Sequence, residues 1–145
     1  LSDYDYVIDA IDSLSDKALL ILNATKSSAR FFSSMGAALK MDGSKIDVAE
    51  FWQVKGCPLA ASLRRKFKKS GIFPKRKFKC VYSPEIYRNR GEQPTAKAES
   101  GIQDLNDLDS LDLTAKKAVI NGTVAHTTAI FGFMLAGLVI EDICR

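Results

Sequence analysis

The sequence predicts an α/β domain built on a mixed sheet, and three stretches carry that expectation. Tyr6-Val7-Ile8 is a short apolar, β-prone run, followed by Leu14, Ala18, Ile21 and Leu22 at helical spacing. Cys57-Pro58 opens a second helical pattern, in which Leu59, Leu63 and Phe67 recur every four residues. Lys77 to Tyr82 then alternates as a half-buried strand does. Strands and helices that alternate along the chain are the pattern of α/β architecture.

In order, the first helix is expected from Ser13 to about Ser28, with Ser13 and Asp16 forming a capping-box-like start. Arg30 to Ser34 reads as a strand ended by Met35-Gly36. Leu39–Met41 and Ile46–Phe51 read as two further strands, and Asp42-Gly43 between them is a tight-turn signal for a hairpin or a pair of linked edge strands. The second helix carries proline at its first position and stops at Gly71. Ser83-Pro84 ends the following strand. Residues 92–112, most clearly Pro94 to Asp112, are polar, small and acidic and read as a mobile loop. A mostly apolar helix from Ala118 to Cys144 closes the chain. Its stretch from Val124 to Ile143 nears the length of a membrane span. His126, Glu141 and Asp142 within it favour a buried core or dimer helix, because charges inside a bilayer are costly.

At 145 residues the chain is long enough for one domain with its own core. The start is acidic and aromatic, without the basic flank and apolar region of a secretory signal. Cys57, Cys80 and Cys144 are scattered, with no CxxC pair, which excludes a four-thiolate zinc site within the chain and suits reduced thiols and the cytoplasm. The chain opens on Leu1 and reaches a strand almost at once, so a fragment of a longer protein is expected. Net charge is a modest +4, but nine basic residues and no acid lie between Arg64 and Lys79, and seven acids lie from Glu85 to Asp112. A basic face and an acidic loop follow from that asymmetry.

Asp9 and Asp12 sit at the carboxyl end of the first strand, just before a helix N-terminus. Open α/β sheets bind their ligands there. On the local pattern alone, Asp12 or Ser13 serves equally well as a simple helix cap. Lys17, one turn further along, either approaches a phosphate or is solvated. Ser33, Ser34 and Gly36 end the neighbouring strand, on the same sheet edge if the crossover has the usual hand, and either border a ligand or form an ordinary turn. Cys57 at a helix start is a candidate nucleophile or only a helix-initiating residue. His126 stands alone on an apolar helix, as a core or interface histidine does.

The basic run suits RNA, since lysine and arginine release counterions on meeting phosphates. Phe67, Phe73 and Phe78 interleave with it; Phe67 reads as core, whereas Phe73, beside Gly71 and Pro74, is placed to stack on an exposed base. A solvated helix face followed by a lysine-rich loop is the plainer alternative.

The stretch DYVIDAIDSLSDK resembles the aspartate turn of the HesA/MoeB/ThiF family, ATP-dependent carboxylate-activating enzymes related to ubiquitin-activating enzyme. In that family the aspartate lies beside the triphosphate and its magnesium. The matching residue is Asp12, with Ser13 where many members have Asn. The stretches SSMGAALKMDGSKIDVAEF, CPLAASLRRKFKKSG and NGTVAHTTAIFGF resemble the tRNA threonylcarbamoyladenosine dehydratase branch, with Gly43 where relatives often have proline. No GxGxxG phosphate loop occurs in the chain. In the family that loop and the cations that grip the phosphates lie upstream of the aspartate turn. The resemblance therefore implies the C-terminal half of a Rossmann-like ThiF-type adenylating domain.

The function it implies is ATP-dependent cyclisation of threonylcarbamoyladenosine in tRNA by way of an acyl-adenylate, with the chain alone inactive. It implies Asp12 as the catalytic and magnesium-facing residue. Nucleotide contact then falls to Ala10, Ile11, Asp12, Ser13, Lys17 and Ser34, and tRNA contact to Arg64, Arg65, Lys66, Lys68, Lys69, Lys75, Arg76 and Lys77. ATP and magnesium are the implied cofactors, tRNA and a second copy of the chain the implied partners. Two other readings stay open: an activator of a ubiquitin-like sulfur carrier, disfavoured by the missing CxxC pairs, and a non-catalytic dimerisation or RNA-binding module.

Overall fold

A computed structural model describes residues 1–87 and 121–145 of the chain. Tyr6–Asp9 (β1), Arg30–Ser34 (β2), Asp47–Glu50 (β3) and Lys79–Tyr82 (β4) form one sheet in the order β1-β2-β4-β3. The first two pair in parallel, β2 and β4 pair in parallel, and β3 runs antiparallel to β4. The helices are Leu14–Ala24 (α1), Pro58–Ser70 (α2) and Ala125–Ile143 (α3).

The two-residue period of the strands divides the core into two layers. Phe31, Cys80 and Tyr82 pack on one face with Ala18, Ile21 and Ala24 of α1 and Ala60, Leu63 and Phe67 of α2. Phe32 and Val81 point the other way and pack with Phe131, Leu135 and Leu138 of α3. Helices therefore cover both faces of a mixed sheet, the α/β architecture expected. At the far end of α3, Asp142 accepts a hydrogen bond from the Tyr6 hydroxyl at 2.9 Å and pairs with Arg30 Nε at 3.2 Å, tying this helix to the start of β1 and β2.

The second helix forms as its sequence dictates. Cys57 is its N-cap, with Sγ accepting from the Ala60 amide at 3.4 Å; Pro58 follows, and Gly71 ends the helix in the left-handed conformation at φ 68°. The first helix is shorter than expected. It stops at Ala24 because Thr25 Oγ1 donates back to the Ile21 carbonyl at 2.7 Å and Arg76 takes the carbonyls beyond.

The expected hairpin is not formed. Leu39–Met41 is not a strand: Leu39 adopts φ 58°, and Lys40 is buried, its ammonium donating to the carbonyls of Gly56, at 2.9 Å, and Glu85. Burial pulls that ammonium below the ordinary lysine range, against the opposing pull of Cys57 and Glu85. Asp42 caps a short 3-10 turn, Gly43–Lys45, and β3 follows it to pair with β4. A β-carbon at Gly43 would stand 2.5 Å from Ile130 Cδ1, the end of a side chain of α3 that would have to shift to admit it.

The last helix starts later than Ala118. Residues 121–124 are not helical, and the Gly122 carbonyl accepts from the Leu39 amide at 3.1 Å. Residues 118–120 and the expected loop at 92–112 lie outside the described residues. By length and hydropathy α3 is long and apolar enough to cross a membrane. Its Thr127, Phe131, Leu135 and Leu138 are nevertheless buried against the sheet. Phe133, Ile140 and Ile143 are exposed on its outer side.

Candidate functional site

The carboxyl ends of β1 and β2 lie side by side, and their register sets Asp9 against Ser33. Both side chains are fully buried on the face covered by α1. Ser33 Oγ donates to Asp9 Oδ2 at 2.6 Å, and Asp9 Oδ1 accepts from the Ile11 amide at 2.9 Å. Lys17 reaches back from α1 to place its ammonium 2.8 Å from Asp9 Oδ2 and 2.8 Å from the Ile11 carbonyl. A serine, a carboxylate and an ammonium thus grip the turn between β1 and α1 from below. Buried charges persist when paired and hydrogen-bonded, and these are.

Above this support, Ala10, Ile11, Asp12 and Ser13 are all exposed. Ser13 is the N-cap of α1 by position, but its side chain makes no capping hydrogen bond. Neither plain capping nor a capping box explains the residue. The first turn of α1 consequently faces outward without a side-chain cap at Ser13, and such N-termini favour anions. Asp12 holds an exposed carboxylate directly before it.

Two sequence-based expectations change here. Lys17 is not solvated: its side chain is wholly enclosed, so its expected place at a phosphate gives way to a supporting one under the turn. Ser34 and Ser33 point to opposite faces, and the Ser34 hydroxyl donates to the Met35 carbonyl at 3.2 Å while Ser33 joins the buried network. Sequence reasoning missed Asp9 and Ser33 as the turn's foundation. Their strand-end positions were the only available signal.

The basic run divides in the same way. Arg64 donates to the Phe51 carbonyl at 2.9 Å and lies 5.9 Å from that ring's centroid. Arg76 donates to the carbonyls of Thr25, Ala24 and Ala29 at 3.1, 3.2 and 2.8 Å, closing the end of α1. These two cations brace backbone carbonyls, although Arg76 remains exposed and Arg64 is half-buried. Arg65, Lys66, Lys68, Lys69, Lys75 and Lys77 are exposed. Phe67 and Phe78 are buried, leaving Phe73 as the exposed aromatic of the three.

Cys57 is buried and its sulfur serves the α2 cap. Burial pushes the Cys80 thiol well above its ordinary pKa. His126 Nε2 lies 2.8 Å from the Met41 carbonyl and helps seat the 36–42 loop.

No family model matches the chain. It is 36% identical to the tRNA threonylcarbamoyladenosine dehydratase of Bacillus subtilis (strain 168), over 97% of this chain and 51% of that protein. It is 30% identical to the enzyme of the same name from Haemophilus influenzae, over 98% of this chain and 51% of that protein. A solved structure of TcdA (CsdL) superposes with a TM-score of 0.66 at 25% identity, covering 97% of this chain and 48% of that one. The chain spans about half the length of these relatives. The sheet and these likenesses together relate the chain to the ThiF family, through its tRNA threonylcarbamoyladenosine dehydratases.

Proposed function

We propose that this chain carries part of the active site of a cytoplasmic, ATP-dependent dehydratase that cyclises threonylcarbamoyladenosine in tRNA. The carrying observation is the exposed turn at residues 10–13, which presents Asp12 beside the first turn of α1 and is held from beneath by Asp9, Lys17 and Ser33. A site that meets a triphosphate needs a carboxylate for the metal and outward-facing donors for the phosphates, both in fixed positions. This turn supplies such groups, and the dehydratase names of the relatives indicate the substrate.

Asp12 would hold magnesium together with ATP. One carboxylate suits that ion, which keeps several waters and takes phosphate oxygens as further ligands. Bound there, magnesium would neutralise phosphate charge. Ala10, Ile11 and Ser13 line the nucleotide, and Lys17 fixes the turn's height through Asp9. In the proposed reaction the threonyl carboxylate displaces pyrophosphate to become an acyl-adenylate. The carbamoyl nitrogen then closes the ring as AMP leaves. Closure within one nucleoside is effectively intramolecular, so activation and positioning are the protein's main work.

The exposed cations Arg65, Lys66, Lys68, Lys69, Lys75 and Lys77 meet tRNA phosphates in this reading. The outer face of α3 meets a second copy of the chain: Phe133, Ile140 and Ile143 are exposed there, and the small exposed residues Gly132 and Ala136 allow close approach. To test the function, tRNA bearing threonylcarbamoyladenosine is incubated with ATP, magnesium and the full-length protein, and its nucleosides are weighed. Loss of one water from the modified adenosine, dependent on ATP, is expected. An unchanged nucleoside would contradict the reading.

A further inference from the structure

The amino-terminal edge of the parallel strands, opposite the aspartate turn, carries exposed aromatic rings in a purely cationic stretch. Glu50 pairs with Lys79 at the start of β4, so the chain leaves β3 at that edge and enters the short turn Phe51–Gln53. Trp52 lies in this turn, 40% exposed, with its amide donating to Glu50 Oε2 at 3.0 Å. Phe73, beyond the end of α2, is 46% exposed, and its ring centroid lies 6.1 Å from that of Trp52 at a 45° tilt. Ile72 beside it is also exposed. The rings are backed by packed aromatics: Phe51 meets Trp52 edge-on at 5.2 Å and stacks on Phe78 at 5.0 Å. Two neighbouring rings held open to water by a rigid base are costly to leave bare unless something covers them.

The charge around them says what covers them. From Phe51 to Pro84 the sequence holds ten lysines and arginines and no acid. Lys68 and Lys69 form the last turn of α2 before Phe73, Lys75 and Lys77 follow it, and Lys79 opens β4 beside Glu50. Glu50 lies beside Trp52, one of its oxygens held by the Trp52 amide, while Asp142 at the starts of β1 and β2 is already engaged by Tyr6 and Arg30. Aromatic faces set among cations match a polyanion with exposed ring systems, since base stacking and phosphate neutralisation add on one strand.

We propose that Trp52 and Phe73 form a stacking platform for an unpaired base of an RNA strand, with the flanking lysines holding its phosphates. The proposal rests on the tRNA reading above and deepens it. The edge is separated from the aspartate turn by the length of the strands, roughly 15 Å at ~3.3 Å per residue. The platform therefore grips a nucleotide other than the one whose carboxylate is activated. Its contribution is to tRNA binding, not to chemistry.

Trp52 is the single tryptophan of the chain and reports on its own site. The chain is titrated at fixed salt with a short single-stranded RNA, with a duplex of equal phosphate number, and with polyglutamate, while Trp52 emission is followed. The single strand is expected to quench that emission, and the duplex to bind without comparable quenching. Phe73→Leu should weaken single-strand binding about 5-fold or more, as loss of one stacked base requires. Phe73→Tyr, which keeps a ring, should restore it, separating stacking from any effect on folding. Equal binding of single strand and duplex with unchanged emission would overturn the platform and leave the phosphate-contact reading standing. Absence of any RNA binding would overturn both. Quenching by polyglutamate but not by RNA would assign the surface to an acidic protein instead and overturn the proposal.

Discussion

Lys17 and Asp9 form an ion pair 2.8 Å long with both side chains entirely removed from solvent, one on α1 and the other at the end of β1. The pair locks a helix to a strand end directly under the exposed turn at residues 10–13. Truncating one member strands the other's charge, which costs far more than a surface pair would. Asp9→Asn should lower stability by about 3–5 kcal/mol, read from urea unfolding as a shifted midpoint at constant slope. Adding Lys17→Met should recover part of the loss, as a double-mutant cycle on a contacting pair requires. Additive losses would show that the pair is not the turn's support. Asp9 is consequently no neutral control for Asp12, although its neighbouring place in the sequence suggests one. Asp16, exposed in the first turn of α1, serves better.

Arg76 and Lys77 are adjacent, yet opposite effects are expected of them. Arg76→Ala frees three carbonyls at the end of α1 and should cost about 2 kcal/mol or more of stability. Lys77→Ala should leave the melting temperature unchanged and lower the magnitude of the salt dependence of tRNA binding by about one. Thermal melts of both variants, beside tRNA titrations of the second at several salt concentrations, check the contrast.

Charge reversal at Arg65, Lys66 and Lys68 should weaken tRNA binding and flatten its salt dependence while leaving ATP affinity unchanged. Arg64 is left out because it braces Phe51. An unaltered salt slope would reduce this helix face to ordinary solvated charge.

The outer face of α3 should hold two copies together. Phe133, 75% exposed, stands near the middle of that helix. Light scattering at micromolar concentration should report a dimer for the chain and a monomer for Phe133→Glu. A compact monomer of the unaltered chain would remove the basis for this contact.

What the sequence made legible was local. Cys57-Pro58 and the four-residue spacing of Leu59, Leu63 and Phe67 specify α2 without reference to the rest of the chain, and α2 forms as read. The β1-to-α1 passage is equally local, and so Asp12 could be placed on its turn. The misreadings arose where distant residues decide. Leu39–Met41 looked extended, but Lys40 is drawn inward by the carbonyls of Gly56 and Glu85, 16 and 45 residues away. Lys17 reads as a phosphate contact or a solvated cation because no periodicity rule buries a lysine, and its partner comes within reach only when α1 folds back over β1. Ser33 joins the network through a strand register that no single-strand pattern contains. In the basic run charge was visible, but which cations serve internal carbonyls depended on the packing of α1 and on Phe51.

Asp12 is exposed, touches no core, and stands on a turn whose support is independent of its charge. Its carboxylate should therefore matter to the reaction and not to folding. ATP–pyrophosphate exchange driven by tRNA carrying threonylcarbamoyladenosine, measured in the full-length protein for the unaltered sequence, Asp12→Asn and Asp16→Asn, decides the matter. Asp12→Asn should lose at least ~100-fold in exchange, as removal of one preorganised charge does, with melting temperature and tRNA affinity kept. Asp16→Asn should exchange at nearly the normal rate. Near-normal exchange in Asp12→Asn would contradict the assignment of this turn to the nucleotide.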